Sequence, residues 1–184
     1  MDSSNLESSG LKLSGIAAPI SSFIQAAVDY CVLIESCEQY TTDQFIHRAR
    51  YQVAQIYLTA LALPHIEITE DSLDRDISHE EWSKIDRSLG STFDQYNYYW
   101  HIFDPGELEP DEPVCQTLSD DLADIWRDLK PGLLHWNTTT DSQRQTIIWE
   151  WHFLFHHHWS THAAEALRVI DWLINHHGIV DTDH

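Results

Sequence analysis

Apolar residues recur at helical spacing along most of this chain. Ile20, Phe23, Ile24, Ala27, Val28 and Cys31 fall on one helical face after Pro19, a residue suited to a first helical turn. That pattern predicts a first helix ending near Ser36. A second stripe runs through Phe45, Ile46, Ala49, Val53, Ile56, Tyr57, Ala60 and Leu61, with Thr42 as its cap and Pro64 beyond its end. The short link between the two favours an antiparallel hairpin. Ser78 and Glu81 have capping-box spacing ahead of Trp82, Ile85 and Leu89, and Gly90 should close that short helix. Phe93, Tyr96, Tyr99, Trp100 and Phe103 follow at roughly helical intervals and predict another short helix, although Tyr and Phe also suit strands.

Leu118 through Lys130 reads as a capped amphipathic helix. Ser119 is its expected cap, Asp120 and Asp121 fall in its first turn, and Leu122, Ile125, Trp126 and Leu129 share a face. Pro131-Gly132 should end or kink it. Thr140 opens the longest helical segment, which runs to about Gly178 with a bend expected near Ser160-Thr161. There is no internal repeat, hairpin signal or alternating strand pattern. The expected fold is all-α: a single-domain bundle of about five main helices with one or two short extra helices. Residues 1–15 read as a Ser-rich flexible tail, 16–178 as the bundle and 179–184 as a short C-terminal tail.

Composition narrows the partners. The chain has 184 residues, 42% of them hydrophobic, with 8 Trp, 7 Tyr and 6 Phe, enough to fill one core. Thirty acidic residues against 10 basic ones give a formal charge of −20, which repels nucleic acid and anionic membranes. Solubility explains such a charge, and so does a surface that meets a basic partner. No transmembrane run and no secretory signal stand out in the sequence, so a cytoplasmic protein is expected. Cys31, Cys37 and Cys115 form no CxxC pair and read as free thiols.

Several segments together resemble the bacterial family catalogued as domain of unknown function 5063. They are Phe103-Asp104-Pro105, Asp111-Glu112-Pro113-Val114, Leu118 through Lys130, and the late block Trp149-Glu150-Trp151, His158-Trp159, His162-Ala163 and Ala166-Leu167-Arg168. The resemblance implies a small helical bacterial protein. It transfers no catalytic residue. Pro131-Gly132 departs from the pattern, which continues the helix at that point.

Candidate chemistry centres on the thirteen histidines. His158 and His162 lie four apart on one helix face, with Glu165 three further on, and could share a divalent transition metal. Such a site needs another ligand, for which Asp121, Asp124 and Asp128 of the earlier helix are candidates. The competing reading is a pair of part-buried histidines beside Trp159, Ala163 and Ala166, with the aspartates on a solvated face. Residue spacing alone favours it. His152 and His156 form a second four-residue pair, suited to adventitious nickel or zinc. A di-iron bundle would need Glu-x-x-His motifs, and Glu150 is followed three positions on by Phe153. No HExxH, phosphate loop or nucleophile elbow occurs.

Three functional readings follow. The first is a non-enzymatic acidic protein-interaction module, of inhibitor or immunity type, needing no cofactor. Its interaction candidates are Tyr98, expected nearest the surface of its aromatic cluster, and Asp121, Asp124 and Asp128. The second is a metal-binding protein or metalloenzyme using His158, His162 and Glu165. The third is a homodimer paired through the long C-terminal helix.

Overall fold

A computed structural model describes residues 4–67, 76–102 and 112–180, with side chains from residue 17 onward. The fold is predominantly α, as expected. Helix α1 (Ser4–Glu35) leads through a 3-10 turn (Cys37–Gln39) into α2 (Thr42–Ala60). Helix α3 (His79–Phe93) and a second 3-10 turn (Asp94–Tyr96) precede two short antiparallel strands, β1 (Tyr98–His101) and β2 (Val114–Thr117). Helix α4 (Leu118–His135) follows. Then α5 (Asp141–Leu154), a π-helical turn (Phe155–Trp159) and α6 (Ser160–His176) form one unbroken helical run. Counting that run once, the described residues hold five helices.

Local chemistry starts these helices where the backbone leaves amides unsatisfied. Thr41 with Gln44, Ser78 with Glu81 and Thr140 with Gln143 each form a reciprocal capping box. For α2 the cap is Thr41, one residue before the expected Thr42. For α4 it is Thr117, whose hydroxyl accepts from the Asp120 amide. Ser119 has a different role from the expected one: it is buried, its amide donates to Asn97 Oδ1 (2.9 Å), and Asn97 Nδ2 donates to its hydroxyl (3.2 Å). Asn97 thereby ties the start of α4 to β1.

Helix α4 is the central element. Leu118, Leu122, Ala123, Ile125, Trp126 and Leu129 are buried among α1, α3 and α6. Tyr30 on α1 donates its hydroxyl to the Leu122 carbonyl (2.8 Å), and the Trp126 indole donates to Glu35 (2.8 Å). Burial holds the Tyr30 phenol well above its ordinary pKa, so it remains a donor. Lys130 also reaches Glu35, a second link between α4 and α1.

The elements depart further from the sequence pattern, and α3 runs past Gly90 to Phe93. The aromatic segment after Phe93 is a strand, not a second short helix: Tyr98 and Trp100 are 68% and 70% exposed, while His101 is buried. Strand alternation sends Trp100 outward, so it is not a core residue. Tyr98 is exposed, but no more so than Trp100, and Phe103 lies outside the described residues. Prolines expected to begin or interrupt helices lie inside them, Pro19 in α1 and Pro131 in α4. At Pro131 tertiary packing overrides the local penalty: Trp151 lies so close to Gly132 that an added Cβ would sit 2.5 Å from its indole. The Trp151 N–H also donates to the Leu129 carbonyl (3.3 Å), one turn back. Finally, α1 reaches back to Ser4, because extending an existing helix costs far less than nucleating one.

By length and composition, Ala17–Glu35 is apolar enough to cross a membrane, although Asp29 interrupts its apolar run. Within the bundle this segment buries Phe23, Ala26, Ala27, Tyr30, Cys31 and Ile34 in the core.

Candidate metal centre

Asp121, Asp124 and Asp128 are spaced i, i+3 and i+7, so they share a face of α4. The sequence reads that face as solvated. In the fold it is covered, with Asp121 only 4% and Asp124 only 8% exposed. The π-turn and α6 lie over one side of it, and Trp82 of α3 reaches it from the other.

The covering helix owes its position to an unusual apolar stride. Ile147, Trp151, Phe155, Trp159 and Ala163 recur every four residues, and all five are buried. An α-helix turns ~100° per residue, so each step of four over-rotates by ~40° and four steps by ~160°. A regular helix would carry Ala163 away from the core. The π-turn absorbs the drift, with the Ser160 N–H donating to the Phe155 carbonyl five residues back. His158 and His162, beside Trp159 and Ala163, are thereby set over the aspartates of α4.

Each imidazole is oriented by its own carboxylate. His158 Nδ1 lies 2.6 Å from Asp128 Oδ2, and His162 Nδ1 lies 2.9 Å from Asp121 Oδ1. Both Nε2 atoms then face Asp124 Oδ2, at 3.7 Å from His158 and 3.5 Å from His162. Those separations are too long for hydrogen bonds. The other oxygen of Asp124 is occupied: Trp82 Nε1 donates to Oδ1 (2.8 Å) and Arg127 contacts it at 3.0 Å. Ligand atoms of Asp124, His158 and His162 all lie within 4.8 Å of one another. In a tetrahedral site with bonds of ~2.1 Å, ligand atoms stand ~3.4 Å apart. A small closing movement of the imidazoles would complete the triad.

The electrostatics share one direction. Burial, followed by the charges of Asp124 and Asp121, pushes the Asp120 carboxyl above its ordinary pKa, and burial does the same to Asp121. Burial opposes charge on His162, but the Asp121 hydrogen bond and the charges of Asp121, Asp124 and Asp120 outweigh it and pull its pKa up. Tyr99 donates its hydroxyl to Asp121 Oδ2 (2.7 Å), and burial and that carboxylate keep the phenol protonated. The pocket therefore favours added positive charge.

The structure brings together His158, His162 and the three aspartates. It leaves Glu165 outside the triad: the Glu165 carboxylate takes the Arg168 guanidinium (2.9 Å) and lies 3.4 Å from His101 Nδ1. Asp124 stands where a third ligand belongs. Sequence reasoning did not find Trp82, Tyr99 or His101, which come from other elements, whereas Arg127 pairs with Asp124 three residues away on the same helix. Two clefts flank the centre. One of about 170 Å³ is lined by Tyr99, His101, Gln116, Asp121, His162 and Glu165. The other, of about 480 Å³, includes Arg127, Asp128, Trp149 and Phe153.

Comparison with known proteins supports the fold without assigning an activity. The chain is similar to a crystal structure of protein BF1032 from Bacteroides fragilis, with a TM-score of 0.73 at 20% identity, over 83% of this chain and 90% of that one. That likeness is one of fold. No curated protein matches the sequence. A family model matches residues 16–176, nearly the whole described bundle, and the chain belongs to that family, described as Domain of unknown function (DUF5063).

Proposed function

We propose that this protein binds one divalent transition-metal ion through Asp124 and the Nε2 atoms of His158 and His162. One observation carries the reading: both Nδ1 atoms are committed to carboxylates, so both Nε2 atoms converge on the one uncommitted oxygen of Asp124. Histidine ligands in metal sites are typically held this way by second carboxylates. Asp124 has equivalent support from Trp82 and Arg127.

Two imidazoles and a carboxylate suit zinc, iron(II), cobalt or manganese. Three protein ligands leave at least one coordination position open, the mark of catalytic rather than structural sites. An ion held there would act as a Lewis acid and make bound water acidic. The reading thus extends to metal-assisted chemistry on a small molecule in an adjoining cleft. Titration of tag-free, metal-stripped protein with Co²⁺ should show one tight equivalent by its visible absorption. That equivalent should vanish with His158→Ala together with His162→Ala. Tight binding that survives both substitutions would refute the site.

A second reading, docking of a basic protein, has its own support. Tyr98, Trp100 and Ile102 alternate on one exposed face of β1 and its extension, on a chain of formal charge −20. Trp100→Ser should then weaken capture of the partner at low salt and leave metal content unchanged. Undiminished capture would remove that face from the interface.

A further inference from the structure

Helix α2 is apolar on two faces. Phe45, Ile46, Ala49, Val53, Ile56 and Ala60 are buried against α1, α3 and α6. On the outer face Tyr51, Leu58 and Leu61 are 66%, 68% and 57% exposed, with Ala54 and Ala62 exposed beside them. At ~100° per residue these five positions span only about 100° of the helix surface. A surface helix ordinarily keeps that side polar. The C-terminal helix presents no such stripe, because Ala163, Ala166, Ile170 and Leu173 are buried within the bundle.

Charge narrows what can cover this face. Residues 44–66 are the longest run without a carboxylate in a chain that has 30 of them. The run's two arginines already have contacts: Arg50 pairs with Asp171 (2.5 Å), and the Arg48 guanidinium lies over the Tyr40 ring (4.9 Å). A basic partner finds no carboxylate here to meet. Two copies of the chain, each of formal charge −20, repel one another over most of their surface. That repulsion is least where this face meets its own image.

We infer that α2 is the contact surface of a homodimer, in which it packs antiparallel against α2 of a second copy about a two-fold axis level with Ile56. The sequence is self-complementary in that register. Ala54 lies opposite the partner's Leu58, so each small side chain makes room for a large one, and Tyr51 lies opposite the partner's Leu61. Arg48 and Arg50 fall beside the partner's Pro64 and Ala62, which keeps the arginines of the two copies apart. A seam one helix wide buries less than the ~800 Å² per partner of a stable interface, so association should depend on concentration. It uses no residue of the Asp124 centre and does not depend on it.

The test is analytical ultracentrifugation of the full chain over a range of concentrations at low and high salt. Wild-type protein should dimerise reversibly, and more strongly in high salt, which screens the repulsion between acidic copies. Leu58→Glu should remain folded, since the side chain is exposed, and should abolish the dimer without changing the melting temperature of the monomer. Ala54→Leu and Leu58→Ala should each weaken association, and the two together should restore it by exchanging small and large positions across the axis. Wild-type protein that stays monomeric throughout leaves the stripe to another occupant and overturns the inference. A dimer unaffected by Leu58→Glu lies on another face and overturns it too. A double variant no better than its parents rules out the antiparallel register.

Discussion

Asp124→Asn is expected to cost more metal affinity than any other single carboxylate substitution near the centre, well over 100-fold. Trp82 Nε1 and Arg127 hold Oδ1 of Asp124 as an acceptor. An asparagine keeps those contacts only by leaving its oxygen there, which turns its NH₂ toward the two Nε2 atoms. The variant therefore replaces an anionic ligand with a donor that no cation accepts. Asp121→Asn and Asp128→Asn remove charge but keep an oxygen for the imidazole N–H, so each should cost only ~10–100-fold, as for other orienting partners. Glu165→Gln should have little effect, since Glu165 is bound to Arg168. Isothermal titration with Zn²⁺ on all four variants would establish the order. An Asp121→Asn or Glu165→Gln loss as large as that of Asp124→Asn would mean the ligands are misassigned.

Much of this centre was visible in the chain, although Asp124 stood there as only one of three aspartates that could complete it. The i, i+4 spacing of His158 and His162 is local, and a helix places both on one face whatever surrounds it. The Asp121, Asp124 and Asp128 stripe is also local, yet a solvated face and a buried polar face have the same spacing. Only the packing of the late helical run over α4 tells them apart. Glu165 has suitable helical spacing from His162 but turns to Arg168, three residues on, and to His101, a partner that spacing does not reveal. One further local signal was present: the stride of four from Ile147 to Ala163 is out of step with an α-helix and calls for a widened turn. The strand at Tyr98–His101 was harder to see, because aromatic residues at mixed intervals fit both periods. The neighbouring Asn97–Ser119 contact, which secures the start of α4, joins residues 22 apart.

Stability against pH should run in opposite directions with and without metal. In the metal-free protein the folded His162 pKa lies above its unfolded value of ~6.5. A raised histidine contributes stability that is fully present below ~6.5 and is lost as pH rises through the higher folded value. Asp120 and Asp121 act with the same sign in the acid range, because their raised folded values make ionisation costly to the folded state. Metal-free protein should therefore melt at lower temperature at pH 8.5 than at pH 6. The molecule's overall negative charge pushes the same way, so the comparison that isolates the centre is with His162→Asn, which should flatten part of the slope. Metal reverses the sign, because it competes with protons for the imidazoles and binds more tightly as they are released. Its stabilisation, set by the ratio of free metal to Kd, should grow across the same interval. Thermal melts of stripped and Zn²⁺-loaded protein from pH 6 to 8.5 should diverge with rising pH. Parallel curves would mean that the ion, if bound, is held by groups other than His158 and His162.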